Sequence, residues 1–235
     1  MPLLLLPNLL GEGRDHTPFF PPTVDQAMTE IDGLIAESEG GGRSYLKRFK
    51  TKKKPHEIPI ALLNKHTSFK DLEFLLEPVQ KGETWGIVTD AGLPCLADPG
   101  SALILRAKQM NIPITAFVGP SSIFLALMQS GLSGQHFTFH GYISKGQEQR
   151  EKELFHWEKN SRALQETQIF IEAPYRNVHT LKSCLEVLHE KTLLCVAWDL
   201  TLPSQEIKTL PLFLWRRQEL PSIEKKPAIF LFYAP

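Results

Sequence analysis

Two aspartates stand in one short loop that follows an apolar stretch of the chain. Residues 85–100 read WGIVTDAGLPCLADPG, so Asp90 and Asp98 lie among glycines and prolines directly after a predicted buried strand. Glycine lets the backbone approach a ligand or adopt a positive φ, and proline removes an N–H donor. We therefore expect the loop to present oxygens that suit a ligand with hydroxyls, an amine or a positive centre. The alternative is a tight turn in which Asp98 only caps the next helix.

A second polar turn, VGPSS at 118–122, also follows a predicted strand. Ser121 or Ser122 could simply cap the following helix. In the functional interpretation, both hydroxyls line the same cleft as the Asp90 loop. Because ligands of open α/β sheets bind outside the carboxyl ends of the strands, the two turns together favour a ligand site.

Nucleotide-binding loops of the usual kinds are missing from the sequence. No G-x-x-x-x-G-K-[ST] motif occurs, and no G-x-G-x-x-G follows the first predicted strand. Gly11 and Gly13 come near to the second motif, but Arg14 and a proline-rich segment follow where a helix should begin. The site is therefore not predicted to be a phosphate-binding or dinucleotide loop.

The elements that position these turns alternate in the first half of the chain. Apolar runs predict strands over 3–6, 58–63, 85–88 and 112–118, and helical spacing predicts helices over 24–36, 68–79, 101–110 and 121–130. The second half is predicted to hold strands over 137–142, 167–171, 193–199 and 228–233, and helices over 147–165 and 177–190. This alternation is typical of α/β folds with a parallel sheet. We expect two α/β domains, residues 1–116 and 117–235.

The composition bounds the class of protein and its partners. Of 235 residues, 42% are hydrophobic and 22% are charged, which is typical of a globular protein. The 26 lysines and arginines equal the 26 aspartates and glutamates, so the whole-protein field does not attract a polyanion strongly. A nucleic-acid partner would therefore need a local basic patch.

Neither a membrane segment nor a metal site is expected. The apolar run over 3–6 is far shorter than a membrane span or a signal-peptide core. Cys95, Cys184 and Cys195 are widely spaced and form no C-x-x-C pair, so no zinc site and no disulfide framework is predicted. We expect reduced thiols in a cytoplasmic protein.

Five stretches of the chain together resemble the tetrapyrrole (corrin/porphyrin) methylase superfamily. They are TDAGLPCLADPG at 89–100, FVGPSS at 117–122, SGL at 130–132, FTFHGY at 137–142 and EAPYR at 172–176. Their order and spacing are most similar to the branch that contains ribosomal RNA small-subunit methyltransferase I. That branch methylates a cytidine ribose 2′-hydroxyl with S-adenosylmethionine.

The resemblance implies a homodimer of two-domain subunits that hold S-adenosylmethionine in a cleft between the domains, with no metal. A loop rich in oxygens suits this cofactor, which carries a sulfonium, an ammonium and ribose hydroxyls. The residues that the resemblance assigns to cofactor binding are Pro7, Thr89, Asp90, Ala91, Gly92, Pro94, Asp98, Ser121, Ser122, Glu172 and Ala173.

The N-terminal stretches of the chain, which are expected to serve the methyl acceptor, depart from the sequence pattern of this branch. Its T-P-I-G-N-L stretch appears here as LPNLLGE at 6–12, and its A-E-D-T-R as AESEGGGR at 36–43, with Arg43 displaced. An RNA acceptor is the favoured hypothesis. A small-molecule or protein acceptor, and a cofactor-binding module without turnover, remain alternatives.

One basic run, KRFKTKKK at 47–54, favours RNA. Charge runs are often only solvated loops, but this one could neutralise phosphates, with Phe49 available for stacking on a base. The predicted acceptor-binding residues are Arg43, Lys47, Arg48, Lys50, Lys52, Lys53 and Lys54.

Methyl transfer from a sulfonium mainly requires that the acceptor oxygen be brought to near-attack distance, about 3 to 3.5 Å. A ribose hydroxyl would also gain from a nearby proton acceptor. The candidates are Asp90, Glu37, His66 and Glu172. His140, within an apolar predicted strand, is expected to be a packing residue.

Overall fold

A five-stranded sheet organises residues Met1–Ser121, the first of two compact units in the computed structural model of the protein. The structure describes residues 1–13, 15–64, 67–97 and 100–235. The strands of the first sheet are β1 (Leu3–Leu5), β2 (Gly33–Ala36), β3 (Ile60–Leu62), β4 (Trp85–Ile87) and β5 (Ile114–Ala116). Their order is β3-β2-β4-β1-β5, and all four pairings are parallel.

Helices cover both faces of this sheet. They are α1 (Pro22–Thr29), α2 (Glu39–Leu46), α3 (Phe69–Gln80) and α4 (Gly100–Gln109). Successive strand residues point to opposite faces, so Leu34 packs with α1 and α2 whereas Ile35 packs with α3 and α4. The inner strands β1, β2 and β4 are buried on both faces, which is why they are short continuous apolar runs.

The predicted helix over 24–36 is wrong in its second half. Helix α1 ends at Thr29, and residues 33–36 form β2, which lies between β3 and β4. Short apolar runs do not distinguish a strand from a buried helix by periodicity. Gly33 gives a structural reason for the strand, because a Cβ there would lie 2.2 Å from Cε2 of Trp85 on β4.

Helix α2 was not predicted, since three consecutive glycines, Gly40 to Gly42, occupy its first turns. Ser38 caps its N-terminus by accepting a hydrogen bond from the Gly41 N–H at 3.1 Å. A Cβ on Gly42 would lie 2.9 Å from Cδ1 of Ile60 on β3. The glycine therefore lets the helix lie close to the sheet.

The second unit, Ser122–Pro235, is built on a sheet of order β6-β7-β10-β8-β9, in which only the β6–β7 pairing is parallel. Its strands are β6 (Phe137–Tyr142), β7 (Thr167–Ile171), β8 (Leu193–Trp198), β9 (Glu206–Pro211) and β10 (Ala228–Tyr233). Its helices are α5 (Ser122–Ser130), α6 (Gln147–Leu164), α7 (Asn177–Val187) and α8 (Leu212–Trp215), with a 3₁₀ turn at Pro174–Arg176.

The α/β class and a parallel first sheet are thus confirmed. Strand β9 and helix α8 were not predicted. Strand β9 is an edge strand that pairs with β8 alone and has no buried residue, so its sequence lacks a strong apolar signal. The predicted domain boundary after residue 116 falls at the end of β5, shortly before the division between the units.

Candidate active site

Polar residues follow three neighbouring parallel strands of the first sheet. Asn8 comes after β1, Glu37 directly after β2, and Thr89 and Asp90 after β4. Because parallel strands end at the same edge of a sheet, these residues are brought together at the place where α/β folds bind ligands. Hydrogen bonds join them directly.

Asn8 is the residue that fixes the start of the Asp90 loop. Its Nδ2 donates to the carbonyl oxygens of Thr89 at 2.7 Å and of Asp90 at 3.0 Å. Its backbone N–H donates to the carbonyl oxygen of Gly92 at 2.7 Å. Its Oδ1 accepts from the Leu9 N–H at 2.9 Å and from Arg48 Nη1 at 2.6 Å. The buried amide is thus bonded at both ends.

The carboxylates of Glu37 and Asp90 lie at this same edge. Glu37 Oε1 accepts the backbone N–H of Asp90 at 3.0 Å. Asp90 itself is exposed, and Glu37 is half-buried. A Cβ on Gly41 would lie 2.9 Å from Asp90 Oδ1, so the first turn of α2 runs directly beside that carboxylate. The positive end of a helix dipole there stabilises the negative charge.

Gly92 adopts a positive φ of +75°, one of the two properties for which glycine was expected in the loop. A Cβ there would lie 3.2 Å from Cδ2 of Leu10 and 3.6 Å from the carbonyl oxygen of Pro120, so the loop approaches its own chain closely. Thr89 is buried and its Oγ1 donates to the carbonyl oxygen of Ala91 at 3.2 Å. Pro94 is buried as well. The close approach at Gly92, the hydrogen bond of Thr89 and the burial of Pro94 therefore fix the path of the loop.

The VGPSS turn follows β5 and packs against the end of β1. A Cβ on Gly119 would lie 2.1 Å from the Cβ of Pro7, which requires glycine at this position. Ser121 is buried, and Ser122 is the first residue of α5. The predicted site residues His66 and Asp98 lie outside the described residues.

Glu172, in the second unit, is buried, and its carboxylate accepts hydrogen bonds from three residues. Its carboxylate accepts from Arg176 Nη2, from the Ala173 N–H at 2.7 Å and from Thr180 Oγ1 at 3.2 Å. The bond from Arg176 to Glu172 raises the pKa of that arginine. Glu172 therefore holds the turn before α7.

The predicted acceptor-binding residues divide into lysines that face solvent and arginines that bind the protein. Lys47, Lys50, Lys52, Lys53 and Lys54 are exposed, and Lys52 pairs with Glu30. Arg43 Nη1 donates to the carbonyl oxygens of Pro55 at 2.6 Å and Ile58 at 2.5 Å, and so supports the loop before β3.

The expected role of Phe49 as a stacking surface for a base is wrong. The side chain is only 8% exposed and lies in the core under α2. Its ring centroid is 4.5 Å from that of His16 and 5.0 Å from that of Tyr45. Phe49 lies three residues beyond the end of α2, where its N–H donates to the carbonyl oxygen of Leu46 at 3.2 Å, and this turn directs its ring inward against that of Tyr45.

His140 is a packing residue, as expected. Its ring stacks on Trp157 with centroids 3.9 Å apart, and its Nε2 lies 2.7 Å from Gln168 Oε1. Burial lowers the pKa of this histidine. In the described part of the chain, no three His, Cys, Asp or Glu side chains are grouped so that they could hold a metal ion. No helix among the described residues is long and apolar enough to span a membrane.

Comparison with solved structures supports the fold. Diphthine synthase aligns with a TM-score of 0.67 at 13% identity, over 99% of this chain and 89% of that one. The methyltransferase CobJ aligns with a TM-score of 0.61 at 16% identity, over the whole of both chains. At such low identities the likeness concerns the fold alone.

Comparison with protein sequences gives closer relatives. Ribosomal RNA small subunit methyltransferase I of Thermotoga maritima is 28% identical over 181 residues, which cover 77% of each chain. The protein of that name from Vibrio cholerae is 30% identical over 150 residues, covering 64% of this chain and 51% of the relative. The one from Bacillus subtilis is 30% identical over 208 residues, covering 87% and 65%. This chain thus spans between half and about three quarters of these relatives.

The family model of the tetrapyrrole (corrin/porphyrin) methylases matches residues 25–213, which include α2, the Asp90 loop, the VGPSS turn and Glu172. This match confirms the resemblance drawn from the five sequence stretches and the expected enzyme class, a methyltransferase. The chain belongs to the tetrapyrrole (corrin/porphyrin) methylase family.

Proposed function

We propose that this methyltransferase transfers the methyl group of S-adenosylmethionine to a ribose 2′-hydroxyl of small-subunit ribosomal RNA. The observation that carries the proposal is the Asp90 loop, which Asn8 and Glu37 hold at the carboxyl edge of the parallel sheet. The names of the sequence relatives support the acceptor. The exposed lysines of the basic run support a polyanionic acceptor independently of those names.

The chemistry of the loop fits a cationic cofactor. The carbonyl oxygens of Thr89, Asp90 and Gly92 already accept hydrogen bonds from Asn8, so the exposed carboxylate of Asp90 supplies the negative charge. A carboxylate attracts the sulfonium or ammonium of S-adenosylmethionine and accepts hydrogen bonds from ribose hydroxyls. The remaining cofactor-binding residues are those that the family resemblance assigned.

When bound beside the Asp90 loop, S-adenosylmethionine would supply an activated methyl group to the acceptor hydroxyl and would leave as S-adenosylhomocysteine. A base of this chain would take up the hydroxyl proton. Because Glu172 already accepts three hydrogen bonds, Asp90 and Glu37 are the better candidates for that base among the described residues. Residue His66 keeps its place as a candidate from the sequence.

We further infer a cytoplasmic homodimer. The family resemblance supports the dimer, and the buried Cys184 and Cys195 thiols support a reducing compartment. Light scattering of the purified protein tests the dimer. A molar mass equal to one chain at micromolar concentration would refute it.

The acceptor class is tested with S-adenosylmethionine labelled in its methyl group. The protein is incubated separately with small-subunit ribosomal RNA, with cell protein and with a small-molecule extract. We expect label in the RNA. Label in protein or in small molecules would show that the acceptor belongs to that class and is not RNA. Binding of the cofactor without any transfer would indicate a non-catalytic module.

A further inference from the structure

Arg48 belongs to the basic run by sequence but not by environment. Unlike the exposed lysines around it, it is half-buried, and its Nη1 donates to Asn8 Oδ1 at 2.6 Å. Its Cζ also lies 5.9 Å from the ring centroid of Tyr45. Partial burial lowers the pKa of Arg48, but arginine remains protonated at neutral pH. The bond to Asn8 is therefore a charged one.

This bond and the one from the Leu9 N–H, which Oδ1 of Asn8 also accepts, favour one orientation of the Asn8 amide. With Oδ1 directed at Arg48, Nδ2 is directed at the carbonyl oxygens of Thr89 and Asp90. A flipped amide would set its NH₂ group against the guanidinium and its oxygen against two carbonyl oxygens, which is unfavourable at both ends. Asn8 can thus hold the loop only in the orientation that Arg48 favours.

We propose that Arg48 is a positioning residue for the Asp90 loop, acting through Asn8, and not a phosphate contact. The inference rests on the proposed function for its link to the cofactor, since the loop that Arg48 orients is the one proposed to bind S-adenosylmethionine. It also removes Arg48 from the predicted acceptor-binding set. The basic run then has two tasks, with arginine supporting the cofactor loop and the exposed lysines facing the acceptor.

Arginine suits this task better than lysine. Its planar guanidinium presents several donors in a fixed arrangement, and it is more weakly hydrated than an ammonium. Lys50 is two positions away in the sequence and exposed, and it carries the same charge. The chain therefore offers a matched control, because Arg48→Gln and Lys50→Gln remove one positive charge each from the same segment.

The first measurement is calorimetry with S-adenosylmethionine on four variants: Arg48→Gln, Lys50→Gln, Asn8→Ala and the Arg48→Gln/Asn8→Ala double variant. A hydrogen bond to a charged group corresponds to roughly a tenfold change in affinity. We expect Arg48→Gln to weaken cofactor binding about tenfold, Lys50→Gln to leave it unchanged, and the double variant to bind no more weakly than Asn8→Ala. Arg48→Lys should recover part of the loss.

The second measurement needs no cofactor. Hydrogen exchange of a peptide covering residues 88–94 in the free protein should speed up in Arg48→Gln and not in Lys50→Gln. Equal exchange in the two variants, or additive effects of Arg48→Gln and Asn8→Ala on affinity, would overturn the proposal. Failure of the wild type to bind cofactor would refute the proposed function instead, and exchange in the loop would still decide the role of Arg48.

Discussion

Glu37 accepts the backbone N–H of Asp90 across 53 positions of sequence, at 3.0 Å. The bond joins the ends of two neighbouring parallel strands, β2 and β4. It fixes the backbone of Asp90 through a side chain that is itself a candidate base. Positioning of Asp90 needs only an oxygen that accepts a hydrogen bond, whereas the role of base needs a carboxylate. Substitutions of Glu37 can therefore separate the two roles.

Glu37→Gln keeps an oxygen acceptor for the Asp90 N–H, whereas Glu37→Ala removes it. We expect Glu37→Gln to bind S-adenosylmethionine with nearly wild-type affinity and Glu37→Ala to bind several-fold more weakly, as the loss of about 1 kcal/mol implies. Calorimetry measures both. If the two variants bind equally, the bond does not position the loop. A fall in kcat for Glu37→Gln at unchanged affinity would identify Glu37 as the base.

Gly92→Ala should weaken cofactor binding as well as stability. A non-glycine residue at a φ of +75° costs about 1 to 2 kcal/mol, and the new Cβ would press on Leu10. Gly82→Ala is the matched control, since Gly82 also has a positive φ, +92°, but its Cβ would meet open space outside the loop.

Both glycine variants should lower the free energy of unfolding, measured in urea, but only Gly92→Ala should reduce the affinity for S-adenosylmethionine. Equal cofactor affinities of the two variants would mean that the path of the loop at Gly92 does not matter for binding.

The exposed lysines should supply the electrostatic attraction for RNA, since the whole chain has no net charge. Changing Lys47, Lys50, Lys53 and Lys54 to Gln should weaken RNA binding and reduce the slope of log affinity against log salt by up to about 3 for single-stranded RNA. Cofactor affinity should be unchanged. The measurement is RNA affinity across a salt series.

A control variant changes four exposed lysines of the second unit, Lys145, Lys159, Lys182 and Lys191. It has the same net charge as the first variant. Equal salt slopes for the two variants would remove the basic run from the acceptor site.

His140 should make stability depend on pH. Its pKa is lowered in the folded protein from the ordinary value of 6.5, mainly by burial. The unfolded chain therefore binds the proton more readily, so the contribution is fully present above pH 6.5 and is lost as the pH falls through the lower folded pKa. His140→Phe keeps an aromatic ring against Trp157 but removes the titratable imidazole.

The free energy of unfolding, measured in urea between pH 5 and pH 7.5, should fall more steeply with acid in the wild type than in His140→Phe. The difference stays well under 1.4 kcal/mol per pH unit, the limit for one proton, because the imidazole is half-exposed. Parallel curves would show that this histidine titrates alike in both states.

The sequence predicted the loop at Asp90 and allowed a positive φ at its glycines, because glycine, proline and aspartate occur together just after an apolar run. It did not predict β2, since Leu34 and Ile35 fit both a helix and a buried strand until a partner strand is known. Nor did it predict that Asn8 would anchor the loop. The only local signal was a polar residue just beyond a buried strand.

The basic run also shows what sequence-based prediction misses, in this case the direction of individual side chains. Charge counting groups Arg48 with the lysines, and the aromatic residue among them suggests a stacking surface. The direction of each side chain depends on α2, whose glycines concealed the helix, and on contacts with residues as distant as Asn8. Long-range partners of this kind are invisible in one sequence.

Ribose methylation by this protein is tested most directly by mass spectrometry of small-subunit ribosomal RNA from cells that lack it, after incubation with the purified enzyme and S-adenosylmethionine. We predict one new 2′-O-methylcytidine with the wild type and none with Asp90→Ala. RNA that gains no ribose methyl group, from an enzyme that binds the cofactor, would contradict the central claim.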